Sequence, residues 1–176
     1  MKIGGLQKLT LLDYPDHLAC IIFTQGCNLR CPFCHNSELL DLKKDGEFSE
    51  EEIFNYLIKR RKVLDGVVIT GGEPLLQPNI DLFIEQVKSL GLKVKLDTNG
   101  TSPTLLNKLI KNNLIDYIAM DIKSDWDTYK EVSGCPRINL DKIKESIKII
   151  EEANLRYEFR TTIMKNYHNI DNITKI

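Results

Sequence analysis

The sequence has little net charge, no long apolar run and only five cysteines among its 176 residues. A formal net charge of -1 gives no support to nucleic-acid binding or to an electrostatic membrane anchor. No apolar run approaches the roughly 20 residues that a helix needs to cross a bilayer. Lys8, Asp13 and Asp16 interrupt the region where a signal peptide would carry its apolar core. These features predict a cytoplasmic protein with neither nucleic-acid nor membrane partners.

The chain also lacks internal repeats, low-complexity tracts and linkers, which predicts a single domain over residues 1–176. Short apolar strands alternate with amphipathic helices, and this order is typical of an α/β fold with a parallel sheet and right-handed crossovers. The predicted strands cover residues 18–24, 66–70, 93–97, 117–122 and 156–163. Helices are predicted between them, the first opened by a capping box of Ser49 and Glu52.

The unusual polar residues follow the predicted strands, where parallel sheets and barrels bind their ligands. A cysteine-rich segment follows the first strand, and Gly71-Gly72-Glu73-Pro74 follows the second. Asp97-Thr98-Asn99-Gly100 closes the third strand, and Asp121-Ile122-Lys123 closes the fourth. In the fifth, Glu158 and Arg160 alternate with apolar residues and are expected to face a barrel lumen. Five strand ends that converge in this way indicate one site.

Three of the five cysteines lie in residues 26–36, which we call the cysteine loop, with the spacing C-x3-C-x2-C. In the cytoplasm, clustered cysteines are more often metal ligands than disulfide partners. Three thiolates can hold three irons of a [4Fe–4S] cluster and leave the fourth iron open to a small molecule. A zinc site with His35 as the fourth ligand is the alternative. Cys20 and Cys135 lack such spacing and are interpreted as structural thiols.

The cysteine spacing together with the downstream Gly-Gly-Glu-Pro resembles the radical S-adenosylmethionine (radical SAM) superfamily. The stretches GCNLRCPFCHN, GGEP and DTNG and the opening GGLQKLTLLDYPD more narrowly resemble activating proteins of anaerobic ribonucleoside-triphosphate reductases, relatives of the pyruvate formate-lyase activating enzyme. The resemblance implies a partial parallel (β/α) barrel. It also implies that the chain is C-terminally short, with five strands visible and a sixth missing, because it stops at Ile176.

The resemblance also implies a set of site residues, which match the motifs of the family position by position. Cys27, Cys31 and Cys34 would hold the [4Fe–4S] cluster, whose open iron chelates the methionyl group of SAM. The implied SAM contacts are Phe33 near the adenine, Gly71 and Gly72 through their backbone, Glu73 at the methionyl ammonium, Asn99 at the nucleoside and Arg160 near the carboxylate or ribose. A monovalent cation beside the SAM carboxylate would be held by Asp97, which also belongs to the SAM site, and by Thr98, Met120 and Asp121.

The implied reaction is driven by its cofactors and needs no catalytic side chain. An electron from the reduced cluster cleaves SAM, and the 5′-deoxyadenosyl radical takes a hydrogen atom from a glycine of a partner enzyme. The expected partner is anaerobic ribonucleotide reductase, with flavodoxin or ferredoxin as electron donor. Two alternatives are a radical SAM enzyme that acts on a small molecule or peptide, and a noncatalytic iron–sulfur or zinc protein.

Overall fold

The computed structural model describes all residues from Met1 to Ile176 and is built around one six-stranded sheet. The strand order follows the chain, from β1 at one edge to β6 at the other. β1 runs antiparallel to β2, and every other pairing is parallel. The strands are β1 (Ile3–Thr10), β2 (Ala19–Thr24), β3 (Gly66–Gly71), β4 (Lys93–Thr98), β5 (Tyr117–Asp121) and β6 (Arg156–Arg160).

Six helices connect or follow the strands: α1 (Glu50–Arg60), α2 (Ile80–Ser89), α3 (Pro103–Lys111), α4 (Tyr129–Val132), α5 (Leu140–Glu151) and α6 (Ile170–Thr174). The predicted capping box opens α1, where Ser49 and Glu52 exchange hydrogen bonds with each other's backbone. Ser102 stands at the N-cap of α3 but its side chain makes no capping bond, so that start depends on Pro103 at the first helical position. No helix combines the length and the apolar character needed to span a membrane.

The two faces of the sheet differ in chemistry because successive side chains of a strand point in opposite directions. One face carries apolar side chains such as Ile22, Ile69 and Leu96, which join the helices in a core cluster of 29 buried residues. The other face has a small apolar cluster at its base that includes Ile21 and Val68. Charged side chains from β4, β5 and β6 lie above that cluster, towards the carboxyl ends of the strands.

The five predicted parallel strands are confirmed, within one residue at each end except in the last strand. That strand ends at Arg160, whereas the sequence predicted it to continue to Ile163, because residues beyond Arg160 make no ladder pairs. No further strand follows β6. The sheet nevertheless has six strands, because β1 lies at the opposite edge. Sequence reasoning missed β1: it contains two glycines, and Gln7, Lys8 and Leu9 in its second half are exposed, so it lacks the apolar pattern of a buried strand.

Candidate functional site

A cavity of about 360 Å³ opens at the carboxyl ends of the parallel strands, where the sequence placed the site. Its walls come from the cysteine loop and from the segments that follow β3, β4, β5 and β6. Of the sequence-predicted site residues, the cavity is lined by Cys27, Cys31, Phe33, Cys34, Gly71, Gly72, Glu73, Asp97, Thr98, Asn99, Asp121 and Arg160. Met120 does not line it, because its side chain is buried in the core cluster on the other face of the sheet.

The three cysteines of the loop all face the cavity, with a gradient of exposure. Cys27 is only 7% exposed, whereas Cys31 and Cys34 are half-buried. A turn closed by the Cys34 amide donating to the Cys31 carbonyl, at 3.1 Å, brings these two residues together. Burial raises the pKa of Cys27 to about 11 and also raises the pKa of Cys31, so these side chains are thiols near neutral pH. Metal binding there would release protons, because the thiolate is the ligand.

The Gly71-Gly72 step brings the backbone after β3 directly against the start of the cysteine loop. A Cβ on Gly72 would overlap the Gly26 carbonyl, and Gly71 has a φ of 115°, which side-chain-bearing residues rarely adopt. The Glu73 amide then donates to the Gly26 carbonyl at 2.8 Å. The two glycines therefore have a structural requirement that is independent of any ligand.

Glu73 is buried, with 1% of its surface exposed, and its carboxylate connects two loops. One oxygen accepts hydrogen bonds from the Leu75 amide at 3.1 Å and the Thr98 hydroxyl at 2.7 Å. The other accepts from the Asn99 amide at 2.7 Å. Burial raises the pKa of Glu73 from 4.5 to about 7, and these hydrogen bonds offset part of that shift. The sequence predicted its place in the site but not this role in joining the turns after β3 and β4.

The charged side chains of the lumen form a connected network centred on Arg160. Its guanidinium lies 3.2 Å from an Asp97 oxygen and 3.0 Å from an Asp121 oxygen, so it bridges the two carboxylates. Lys123 lies 3.0 Å from the other Asp121 oxygen, and buried Lys95 lies 3.4 Å from the second Asp97 oxygen. Burial raises the pKa of Asp97, and the Arg160 and Lys95 charges counteract that effect. Two carboxylates in one pocket are thus neutralised by side chains of the same chain.

The residues predicted to hold a cation do not all point to one place. The Asp97 and Asp121 side chains face the lumen, whereas the Thr98 hydroxyl donates to Glu73 and Met120 packs in the core. Met120 could therefore contribute only its main-chain oxygen, and the Thr98 hydroxyl is already engaged by Glu73 and by the Gly100 amide. The Asp97 oxygen that faces Lys95 is buried and makes no hydrogen bond, although the Lys95 ammonium lies 3.4 Å from it.

The chain matches the family model of the radical SAM superfamily over residues 21–175. The chain belongs to the radical SAM superfamily.

Relatives of this radical SAM protein include a Methanocaldococcus jannaschii protein, MJ1227, named as a glycyl-radical enzyme activating enzyme. The two are 40% identical over 179 residues, which cover 99% of this chain and 73% of the relative. A pyruvate formate-lyase-activating enzyme from Clostridium pasteurianum is 28% identical over 182 residues, covering 99% of this chain and 75% of the relative. The predicted resemblance to radical SAM activating enzymes is therefore confirmed.

Solved structures agree with the assignment of the fold. A structure of TYW1 with a lysine-pyruvate adduct bound superposes with a TM-score of 0.65 at 19% identity, over 89% of this chain and 58% of that one. The structure of anSMEcpe with bound AdoMet gives 0.60 at 19% identity, over 86% of this chain and 44% of that one. These similarities confirm the radical SAM fold predicted from the sequence.

The donor set of this radical SAM protein fits a cubane better than a single ion. A zinc ion needs its sulfur and nitrogen ligands about 2.0–2.3 Å from one point. No three His, Cys, Asp or Glu side chains are gathered closely enough to hold one ion, so the predicted zinc alternative with His35 has no support. A cubane instead takes each thiolate on a different iron, and Cys27, Cys31 and Cys34 all line the cavity.

Sequence reasoning missed several residues that shape the site. Buried Lys95 carried no signal, because a lysine within a strand is usually solvent-exposed. His168 is also buried, and its Nε2 donates to the Lys123 carbonyl at 2.8 Å while Nδ1 accepts from the Met164 amide. Its ring and that of Tyr167 flank Phe33 at 6.1 and 5.7 Å between centroids. These contacts depend on where the segment after β6 lies in the folded chain, which the sequence alone does not show.

Proposed function

We propose that this chain is a glycyl-radical-enzyme activating enzyme that binds a [4Fe–4S] cluster and SAM and acts on anaerobic ribonucleoside-triphosphate reductase. The observation that carries the proposal is that three thiols, the glycine pair Gly71-Gly72 and a charged lumen all border one cavity. When bound, the two cofactors would supply the chemistry, which is reductive cleavage of SAM and removal of a hydrogen atom from a partner glycine.

The residues of the chain would hold and orient these groups. Cys27, Cys31 and Cys34 would ligate the cluster. Gly71 and Gly72 would admit the methionyl group close to the backbone, and Glu73 would face its ammonium with the oxygen that accepts only the Asn99 amide. Phe33 lines the cavity, packs near the rings of Tyr167 and His168, and would meet the adenine.

Arg160 would meet the carboxylate or ribose of SAM at the mouth of the charged network. Its guanidinium has five N–H donors, and the ion pairs with Asp97 and Asp121 use only part of that set. A monovalent cation at Asp97 and Asp121 would have to share these carboxylates with Arg160, which pairs with one oxygen of each, and with the lysines that face the other two oxygens. The unbonded Asp97 oxygen supports such a site, and comparing SAM affinity in potassium and in choline buffers tests it.

The activase assignment is supported by the two relatives whose names state this activity, since they align with nearly the whole chain. The choice of the reductase as partner is supported by the combined sequence motifs. Flavodoxin or ferredoxin would serve as donor, because Pro32 and His35 are exposed beside the cysteines and give a partner access to the cluster. The charged lumen, which is partly exposed at Asp121 and Arg160, also suits a peptide segment entering from a partner protein.

The test is anaerobic reconstitution with iron and sulfide, followed by incubation with SAM and dithionite. We expect about four irons per chain and formation of 5′-deoxyadenosine. Adding the anaerobic reductase should then give a glycyl-radical signal in electron paramagnetic resonance spectra. Cleavage of SAM without that signal would contradict the partner and favour a small-molecule or peptide substrate. A reconstituted protein that never cleaves SAM would contradict the enzyme assignment.

A further inference from the structure

Asn99 contacts the cysteine loop, although sequence reasoning assigned it to the nucleoside of SAM. The residue is buried at the end of β4. Its side-chain nitrogen lies 3.9 Å from the Cys27 sulfur and 2.9 Å from the Asn28 side-chain oxygen. The sulfur also accepts the Leu29 amide at 3.4 Å. The most buried of the three thiols thus has two N–H donors directed at it.

The orientation of the Asn99 amide follows from its neighbours. The Thr101 backbone amide can only donate, and it lies 3.0 Å from the Asn99 oxygen. The Thr101 hydroxyl donates to the same oxygen at 2.7 Å and accepts from the Asn28 side chain at 2.9 Å. A flipped amide would set two donors against each other, so the nitrogen must face the sulfur.

This arrangement uses every hydrogen-bonding position of the Asn99 side chain. The oxygen accepts twice from Thr101, and the nitrogen donates once to Asn28 and once to Cys27. A direct contact with a nucleoside would require one of these bonds to break. The backbone is fixed as well, because the Asn99 amide donates to buried Glu73 at 2.7 Å.

We infer that Asn99 is a positioning residue that donates a hydrogen bond to the sulfur of Cys27 and thereby raises the reduction potential of the cluster bound there. The inference rests on the proposed function, since it requires that Cys27 ligate a cluster. A reduced cluster carries one more negative charge, which spreads onto its thiolate ligands. An N–H donor at the sulfur therefore stabilises the reduced state more than the oxidised state.

The test compares midpoint potentials of reconstituted proteins, followed by electron paramagnetic resonance in redox titrations without SAM. Asn99→Ala removes the donor, and we expect about a tenfold lower ratio of reduced to oxidised cluster at a fixed potential, or about 59 mV for one electron. Thr101→Val is the matched control: it breaks the same network but leaves the Asn99 nitrogen in place. We expect its ratio to stay within about twofold of the parent.

Asn99→Asp keeps the shape and the oxygen that Thr101 uses, so it serves if the alanine variant folds poorly. It removes the donor and adds negative charge, and we expect at least as large a decrease. Equal potentials in the parent and both Asn99 variants would overturn the inference, as would equal decreases in the Asn99 and Thr101 variants. Asn99 variants that lose the cluster while Thr101→Val keeps it would also overturn it, since the residue would then be needed for assembly.

Failure of the proposed function has a different signature. In that case the parent itself would form no cubane or would leave SAM intact, and the inference would fall with it. If the parent assembles the cluster and cleaves SAM but the potentials do not differ, the inference alone is wrong.

Discussion

The buried carboxyl of Glu73 should make the stability of the protein depend on pH in a way that one substitution removes. Its pKa is raised from 4.5 to about 7 by burial, against three hydrogen bonds that favour the charged form. Between these values the folded state binds more protons than the unfolded state. Stability supplied by the protonated group is therefore present at low pH and lost as pH rises through the folded-state pKa.

The magnitude follows from the shift. At about 1.36 kcal/mol per pKa unit, a group moved from 4.5 to about 7 contributes on the order of 3 kcal/mol of destabilisation when fully ionised. Most of this change, about 2 kcal/mol, falls between about pH 5 and about pH 8. Glu73→Gln removes the ionisable carboxyl and should therefore remove this pH-dependent change in stability. The glutamine nitrogen would instead face a backbone N–H, either that of Asn99 or that of Leu75, which costs about 1–3 kcal/mol at every pH.

The assay is urea unfolding of the cluster-free protein, followed by circular dichroism at several values from about pH 5 to about pH 8. The variant should be less stable than the parent at the acidic end, and the gap should narrow or reverse as pH rises. Subtracting the two curves removes contributions from other titrating groups, including Asp97. A difference that stays constant across the range would refute the assignment of a raised pKa to Glu73.

Other substitutions test separate parts of the site. Changing all three cysteines of the loop to Ala should abolish iron binding on anaerobic reconstitution, whereas Cys135→Ala should keep the parent's iron content, as measured by iron analysis. Arg160→Ala leaves two carboxylates facing each other, so urea unfolding should show lower stability that recovers as pH falls, with a smaller loss for Arg160→Lys. Gly72→Ala forces a Cβ against the Gly26 carbonyl and should cost about 1–3 kcal/mol in the same assay. Gly5→Ala, where the added Cβ meets only a Phe23 side chain at 3.4 Å, should cost less.

The sequence predicted the parallel strands and the place of the site because both depend on local patterns. Apolar runs mark strands buried on both faces, and motifs at their ends must meet at one edge of a parallel sheet. β1 escaped this reasoning because an edge strand with one solvated face carries glycines and polar residues freely.

The contacts between the motifs could not be predicted from the sequence, for a different reason. Glu73 joins Thr98 and the Asn99 amide, and Arg160 bridges two aspartates. Both contacts depend on the distances that the folded sheet sets between neighbouring strands. Residue type predicts that a buried polar group has a partner but not which partner. The sequence pattern therefore predicted which residues form the site. Which of them face a ligand and which bond to one another could be seen only in the structure.

That division bears on how the cavity can bind a charged ligand. The lumen pairs the carboxylates of Asp97, Asp121 and Glu158 with the cations of Lys95, Lys123 and Arg160, so the network is balanced without a ligand. The turns after β3 and β4 are already tied to each other through Glu73, and the turn after β3 to the cysteine loop through the Gly26 carbonyl.

A ligand that carries both an ammonium and a carboxylate can enter such a network by sharing existing partners at each end, which avoids leaving a buried charge unpaired. Because the loops are held before binding, little further ordering is required, and the interaction energy is not spent on fixing the backbone. The zwitterionic methionyl group of SAM meets both conditions, whereas an anionic ligand of similar size would unbalance the lumen. The balanced network is thus an argument for the proposed ligand that does not depend on the cysteines.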